Sequence, residues 1–353
     1  MELLNNLPVA TAGLNKGSDD IFTISGGVGV PKLQVSLTGR TSNLVNELGV
    51  VVVDDADGKI NGIAPGAAGY TEAALERSKV VFSAIANNPN GFNPGELNRL
   101  LQFNNGERLR FYLIRNGTTD GVRSGTTPIS DVLFSSGTSQ KVTELPTGGF
   151  TLSWEDGVGS STTDFQDLVV RVQQTNQVLP LGVGVQGNPQ GEVIDLRGVS
   201  GQVKAEFTVN REAAFNNYVG FYQIADINGG IDVDGNGTVD LRPGDAGYVQ
   251  EAVLRRVAGI DLAVNNQGTA NITGNFNGGS LFAPFMIVDG RPDAILDSNS
   301  NNDPAVFFPF LGANSGKVDH VRLLGNNTFG FEDIVGGGDK DYNDIIVKVN
   351  LSV

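Results

Sequence analysis

The residues best suited to chemistry in this sequence are carboxylates at short, regular spacing in glycine-rich stretches. In Asp232-Val-Asp234-Gly-Asn236-Gly237-Thr238-Val239-Asp240, oxygen donors occupy positions 1, 3, 5 and 9 of a loop, with Gly at 6 and an aliphatic residue at 8. That pattern matches an EF-hand-type calcium loop. Ca²⁺ takes roughly 6–8 oxygens at about 2.3–2.6 Å, so alternate side chains must turn inward while Gly permits the bend. Thr238, at position 7, joins the candidate ligands. Position 12 is Pro243 in place of the usual Glu, and Asp245, two residues on, is the acid available to close the shell. An earlier stretch, Asp55-Ala-Asp57-Gly58, is a reduced form of the same loop. The plain alternative for both is an Asp/Gly turn without an ion.

A second constellation gathers Glu332, Asp333, Asp339, Asp341 and Asp344 around Gly336-Gly-Gly338. Carboxylates this close repel by about a kcal/mol or more per near pair at intermediate dielectric, and a cation turns that repulsion into coordination. The Gly run lets the Glu-Asp pair fold back on the Asp-x-Asp pair. The alternative is a solvated acidic hairpin. Repetition weakens that alternative, because Glu155, Asp156, Asp164 and Asp167 recur in the same order about 177 residues earlier. Thr162 stands there in place of Asp339, so the earlier site is expected to be weaker or empty.

These loops belong to a duplicated chain. Phe329-Gly-Phe-Glu-Asp333 leads to Asp341-Tyr-Asn-Asp-Ile-Ile-Val-Lys-Val349, as Leu152-Ser-Trp-Glu-Asp156 leads to Asp164-Phe-Gln-Asp-Leu-Val-Val-Arg-Val172. Pro65-Gly-Ala-Ala-Gly-Tyr70 recurs as Pro243-Gly-Asp-Ala-Gly-Tyr248. Leu7-Pro8 and Lys32–Leu37 recur more faintly as Leu179-Pro180 and Lys204–Val209. So long a period means two whole domains, 1–175 and 176–353. Short alternating segments punctuated by Gly, Asn and Asp predict a mainly β chain of two tandem antiparallel, jelly-roll-like sandwiches. The spacing also predicts about one helix per unit, over Thr71–Ala84 and Val249–Leu262, and a further short helix over Gly95–Leu101.

The acidic motifs also carry a resemblance. Phe-Gly-Phe-Glu-Asp followed by Gly-Gly-Gly-Asp-Lys-Asp-Tyr-Asn-Asp-Ile-Ile-Val resembles the signature of family 4114 of the domains of unknown function. The likeness is clear over the C-terminal ~75 residues and divergent over 150–172, where Trp154 replaces Phe331 and Gln166 replaces Asn343. The resemblance implies an exported bacterial surface protein, notably from cyanobacteria, with a β-sandwich and calcium-binding loops. It implies no reaction.

Composition narrows the classes further. The chain has 353 residues, 24 Lys+Arg against 39 Asp+Glu (24 − 39 = −15), no Cys and one His. A Cys/His zinc site, a disulfide and a thiol nucleophile are therefore excluded. No basic stretch exists to neutralise phosphates, which argues against nucleic acid. No apolar run approaches the ~20 residues of a membrane helix. A Ser-His-Asp triad would have to use His320, the lone His, and no Gly-x-Ser-x-Gly elbow is present. A glycosidase needs only two carboxylates, yet these acids cluster as ligands do.

The expectation is a non-enzymatic, calcium-binding structural protein. It would be exported without a recognisable signal peptide, to the extracellular space or cell surface, as a subunit of a filament, surface layer or matrix. Duplication allows one domain–domain contact to repeat between molecules, head to tail. Gln177–Gly191 and Asn5–Gly17 precede their units equivalently. If the first packs on its own first domain, the second is expected to join a neighbour's second domain by strand exchange. A calcium-dependent adhesin binding cell-surface glycan is the competing reading.

Overall fold

A computed structural model describes residues 13–17, 20–26, 29–157 and 163–353. The first copy comprises β1 (Gly13–Lys16), β2 (Phe22–Ser25), β3 (Lys32–Gly39), β4 (Asn46–Val53), α1 (Tyr70–Glu76), β5 (Ser78–Ala84), β6 (Asn98–Gln102), β7 (Arg108–Ile114), α2 (Thr119–Ser124), β8 (Val132–Phe134), β9 (Gln140–Glu144), β10 (Phe150–Trp154) and β11 (Leu168–Thr175). The second comprises β12 (Ile194–Asp195), β13 (Gln202–Arg211), β14 (Tyr218–Ile224), α3 (Tyr248–Leu254), β15 (Thr269–Asn277), β16 (Leu281–Ile287), α4 (Pro292–Leu296), β17 (Val306–Phe307), β18 (Val321–Gly325), β19 (Thr328–Phe331) and β20 (Ile345–Ser352).

Each copy is a pair of antiparallel sheets. The order β6-β3-β11-β10-β9 in the first copy is repeated as β15-β13-β20-β19-β18 in the second. The facing sheets are β1-β2-β7-β4-β5 and β12-β16-β14, with β8 on β7 and β17 on β16. Strict alternation explains the sandwich. Leu33, Val35 and Leu37 of β3 and Leu152 and Trp154 of β10 point inward, against Phe22, Leu48, Val50 and Phe111 of the other sheet. β16 is buried along its whole length because its sheet is covered on both faces. Phe282 and Met286 face the inter-sheet core, while Ala283, Phe285 and Ile287 pack with Tyr248 and Val253 of α3.

The helices are shorter and more numerous than the spacing predicts, two per copy among the described residues. Only the first half of Thr71–Ala84 is helical. Ser78–Ala84, with Val80, Val81 and Phe82, pairs with β4 instead, because a β-branched and aromatic run gains more as a strand between neighbours. Val249–Leu262 likewise stops being helical at Leu254, and its end bridges β14 at Tyr222–Arg256 and Val219–Leu262. Gly95–Leu101 is a single 3₁₀ turn followed by β6.

The seam segment lies against the first copy. Val80 N–H donates to Gly187 O (2.8 Å), Arg99 Nη2 to Gln186 O (2.9 Å) and Gln190 N–H to Asp120 Oδ2 (2.6 Å). Of Asn5–Gly17, residues 13–16 form β1, on β2 of the same chain. Residues 5–12, with Leu7-Pro8, lie outside the described residues.

Candidate metal centres

The acidic corner of each copy is set by a β-hairpin whose strands carry the acids at their ends. In the second copy, β19 ends at Phe331 and β20 begins at Ile345, so Glu332-Asp333 and Asp344 emerge side by side. The Asp333 N–H donates to Asp344 Oδ2 (2.6 Å), and Asn217 Nδ2 donates to Asp333 Oδ2 (2.6 Å). Glu332, Asp333 and Asp344 each offer an oxygen within 4.8 Å of the others, and so do Glu332, Asp339 and Asp341. Glu332 is common to both groups. Gly336, Gly337 and Gly338 all adopt positive φ, and a Cβ at Gly338 would overlap Glu332 Oε1. The Gly run thus lets the loop close over the glutamate.

Glu332 is fully buried, and its Oε2 has no hydrogen-bond partner. Its Oε1 accepts one long bond from Ile334 N–H (3.3 Å). A buried acceptor left unmet costs about 1–3 kcal/mol, more when charged. Burial pushes Glu332 up to about 7, Asp341 to about 6 and Asp344 to about 8, with neighbouring carboxylates adding to each; burial also raises Asp333. His320 lies beside them, fully buried and stacked on Phe307 at 3.5 Å. Its Nδ1 is 2.8 Å from Glu332 O and so donates to it, which leaves the buried Nε2 a lone pair without a partner. Burial lowers the His320 pKa, keeping the ring neutral.

The first copy repeats the frame. Glu155, Asp156 and Asp167 converge within 4.8 Å, and Asp156 N–H donates to Asp167 Oδ2 (2.7 Å). Here the acids have donors. Ser42 Oγ (2.6 Å) and Asn46 Nδ2 (2.9 Å) both donate to Asp156 Oδ2, and the Asp164 and Phe165 amides donate to Glu155 Oε2 (3.1 and 3.3 Å). Asp164 stays outside the group and accepts from Gln166 N–H. Burial raises Asp167 to about 6. Thr162 lies outside the described residues.

The Asp232 loop is a nine-residue excursion between Ile231 and Leu241, which bridge at its base. Asp232, Asp234 and Asp240 converge within 4.8 Å. Asp232 accepts from the amides of Gly235, Asn236 and Gly237, and Asp240 from those of Val233 and Asp234. The Gly237 bond above all holds Asp232 below the usual carboxylate range. Asn236 Nδ2 donates to Asp234 Oδ2 (2.9 Å) while its Oδ1 accepts from Thr238, and Asp245, whose Oδ2 accepts from Arg242 N–H (2.7 Å), is not among the converging carboxylates.

Asp55 and Asp57 are not the counterparts of that loop. Tyr70 Oη donates to Gly58 O as Tyr248 Oη donates to Gly229 O, and Ile60–Ile63 bridges as Ile231–Leu241 does. Asp55-Ala-Asp57-Gly58 therefore matches Asp226-Ile-Asn228-Gly229, and the nine-residue loop is peculiar to the second copy. The Lys59 ammonium sits 3.6 Å from Asp55 and 3.1 Å from Asp57, a built-in cation between them.

The residues that position the acids were missed at the level of sequence. Arg40 and Asn46 in the first copy correspond to Arg211 and Asn217 in the second, each pair spaced Arg-x₅-Asn just after the Lys32–Leu37 and Lys204–Val209 match. Extending that match would have found them.

The fold and its sites define a tandem pair of antiparallel β-sandwiches with carboxylate-lined corners. The family model described as Domain of unknown function (DUF4114) matches residues 103–175 and 276–352, the C-terminal part of each copy. The two matches, one in each copy, are consistent with tandem copies of that domain. No curated protein matches it.

Proposed function

We propose that this chain is a non-enzymatic, calcium-binding structural protein, exported to the cell surface or beyond and assembled head to tail in a filament, surface layer or matrix. The observation that carries the calcium reading is Glu332 Oε2, buried and without a donor at the centre of two carboxylate groups. The donors are all hard oxygens, which suit Ca²⁺ and not a thiolate-seeking or imidazole-seeking metal. Glu332, Asp333, Asp339, Asp341 and Asp344 would hold the ion, and Asp232, Asp234 and Asp240 a second one. The bound ion supplies a charge that cancels carboxylate repulsion. The chain's own part is to fix the loop, and with it Tyr342, whose ring is buried against the Arg322 guanidinium at 4.2 Å.

Two observations support assembly over glycan recognition. The seam segment packs on the first copy, the condition on which a repeated contact rests. The exposed apolar groups on the Glu332 loop are the aliphatic Ile334 and Val335, better suited to protein contact than to stacking on a sugar. Equilibrium dialysis against Ca²⁺, with melting in calcium and in EDTA, tests the metal. The expected result is bound calcium and a Tm that falls on chelation. A chain that binds none and melts identically overturns it.

A further inference from the structure

The two copies meet through a socket. Arg322, on β18 of the second copy, is buried, and its Nη1 donates to Ser83 Oγ (3.3 Å) and Gly117 O (3.0 Å) of the first copy. The carboxylates of Glu47 and Asp120 are close enough to act on it electrostatically. The socket is walled by β4, the end of β5 and the turn into α2.

The second copy has the same socket, open. Asn46 Oδ1 accepts from Asn116 N–H as Asn217 Oδ1 accepts from Asp289 N–H, which sets Gly117 on Gly290 and Asp120 on Asp293. The Leu48–Phe82 pair recurs as Val219–Leu262, which sets Glu47 on Tyr218 and Ser83 on Ala263. Tyr218, Arg256, Asp261, Ala263, Arg291 and Asp293 line one recess of about 680 Å³, in which Arg256 Nη1 donates to Val253 O (3.0 Å). The charge lost at Glu47 returns one step away, because Tyr218 Oη donates to Asp261 Oδ1 (2.8 Å). Asp261 and Asp293 are exposed, while the Arg291 guanidinium is turned to the carbonyls of Asn216 and Gly290. A cationic side chain would lie near two carboxylates there, as Arg322 lies near Glu47 and Asp120 while its own ion pair is with Asp319 of the same copy (3.4 Å).

The first copy also repeats the plug. Gln140 pairs with Trp154 as Val321 pairs with Phe331, so Lys141 holds the register position of Arg322. Lys141 is exposed and has no ion pair among the described residues. We propose that Lys141 of one molecule seats in the Tyr218–Asp293 recess of the next, repeating between molecules the contact that Arg322 makes within one. This rests on the assembly reading above and names its contact. The surfaces are different and do not close on themselves, so the product is an open chain. Buried Leu324, at the bulge of β18, has no counterpart in β9, where exposed Thr143 pairs with Thr151 as Gly325 pairs with Thr328, so the contact is weaker than the intramolecular one.

Sedimentation velocity in calcium over a concentration series tests it, with Lys141→Ala, which removes the plug's charge, and Asp293→Lys, which spoils the socket. Wild type is expected to form a concentration-dependent ladder, and each variant alone to stay monomeric with an unchanged calcium-bound melt. Their mixture is expected to stop at a 1:1 heterodimer, because only one good plug and one good socket remain. The contact is overturned by variants that assemble like wild type, by a mixture without heterodimer, or by a wild type that stays monomeric. Dialysis on the same samples reads calcium separately: a ladder without bound calcium supports the contact while overturning the metal reading.

Discussion

At the acidic corner of the first copy, Ser42 and Asn46 both donate to Asp156, and two loop amides close on Glu155. At the corner of the second copy, Ala213 stands at the position of Ser42, no loop amide reaches Glu332 Oε2, and Asp339 and Asp341 are added to the group. The same hairpin, the same Glu-Asp pair and the same closing Asp thus give one corner whose acids find donors and another that leaves Glu332 Oε2 buried without one. A duplicated ligand motif alone does not make two equal sites. What differs is the supply of hydrogen-bond donors from elsewhere in the fold.

The largest expected effect separates the corners directly. Glu332→Gln removes most of the calcium-dependent rise in stability at that corner, about 2.7 kcal/mol at a hundredfold excess of ion over Kd, while Glu155→Gln leaves it in place. Calorimetric melts of both variants with and without calcium check this, and equal losses would erase the distinction. In EDTA above pH 7, Glu332→Gln is expected to melt no lower than wild type, since it removes a buried charge.

A smaller effect concerns the loop that closes on Glu332. Gly338→Ala combines a positive φ with overlap on the carboxylate and should cost about 1–3 kcal/mol, with weakened calcium binding. Gly336→Ala, also at positive φ but in open space, is expected to cost less and to leave calcium affinity unchanged. Denaturant midpoints and calcium titration separate strain from loss of the ligand.

The smallest effect is in pH. Without calcium, the folded chain holds protons on Asp341, Glu332 and Asp344 up to about 6, 7 and 8, whereas unfolded carboxyls release theirs near about 4. The folded state therefore binds more protons across this window. Its stability is full below about 4 and is lost progressively as pH rises from there, ending near 6 for Asp341, 7 for Glu332 and 8 for Asp344. Calcium affinity rises over the same window, because the ion displaces those protons. At the first corner, Asp167 is raised to about 6, so its share of the loss ends earlier. Denaturant melts in EDTA across the range, read locally by amide exchange, test this; a flat profile at the second corner would refute it.

Much of this architecture was legible along the chain. Alternation in Lys32–Leu37 and Phe150–Trp154 marked strands, and the recurring Glu-Asp and Asp-x-x-Asp pairs marked both corners and the duplication. The misreadings share one cause. At Ser78–Ala84 a helical spacing yields to a strand because β4 lies alongside, and Asp55 and Asp57 are matched to the wrong loop because the Tyr70–Gly58 contact is not local.

The sequence by itself determined the two copies, their alternating strands and where carboxylates concentrate, since spacing and periodicity are properties of neighbouring residues. Only the tertiary structure decided which carboxylates are satisfied and which are not. Ser42 reaches Asp156, Asn217 reaches Asp333 and Arg322 reaches Gly117 across more than a hundred residues in each case. Burial and donor supply are set by such distant partners, and they satisfy the acids of one corner and leave a buried carboxylate oxygen of the other without a donor.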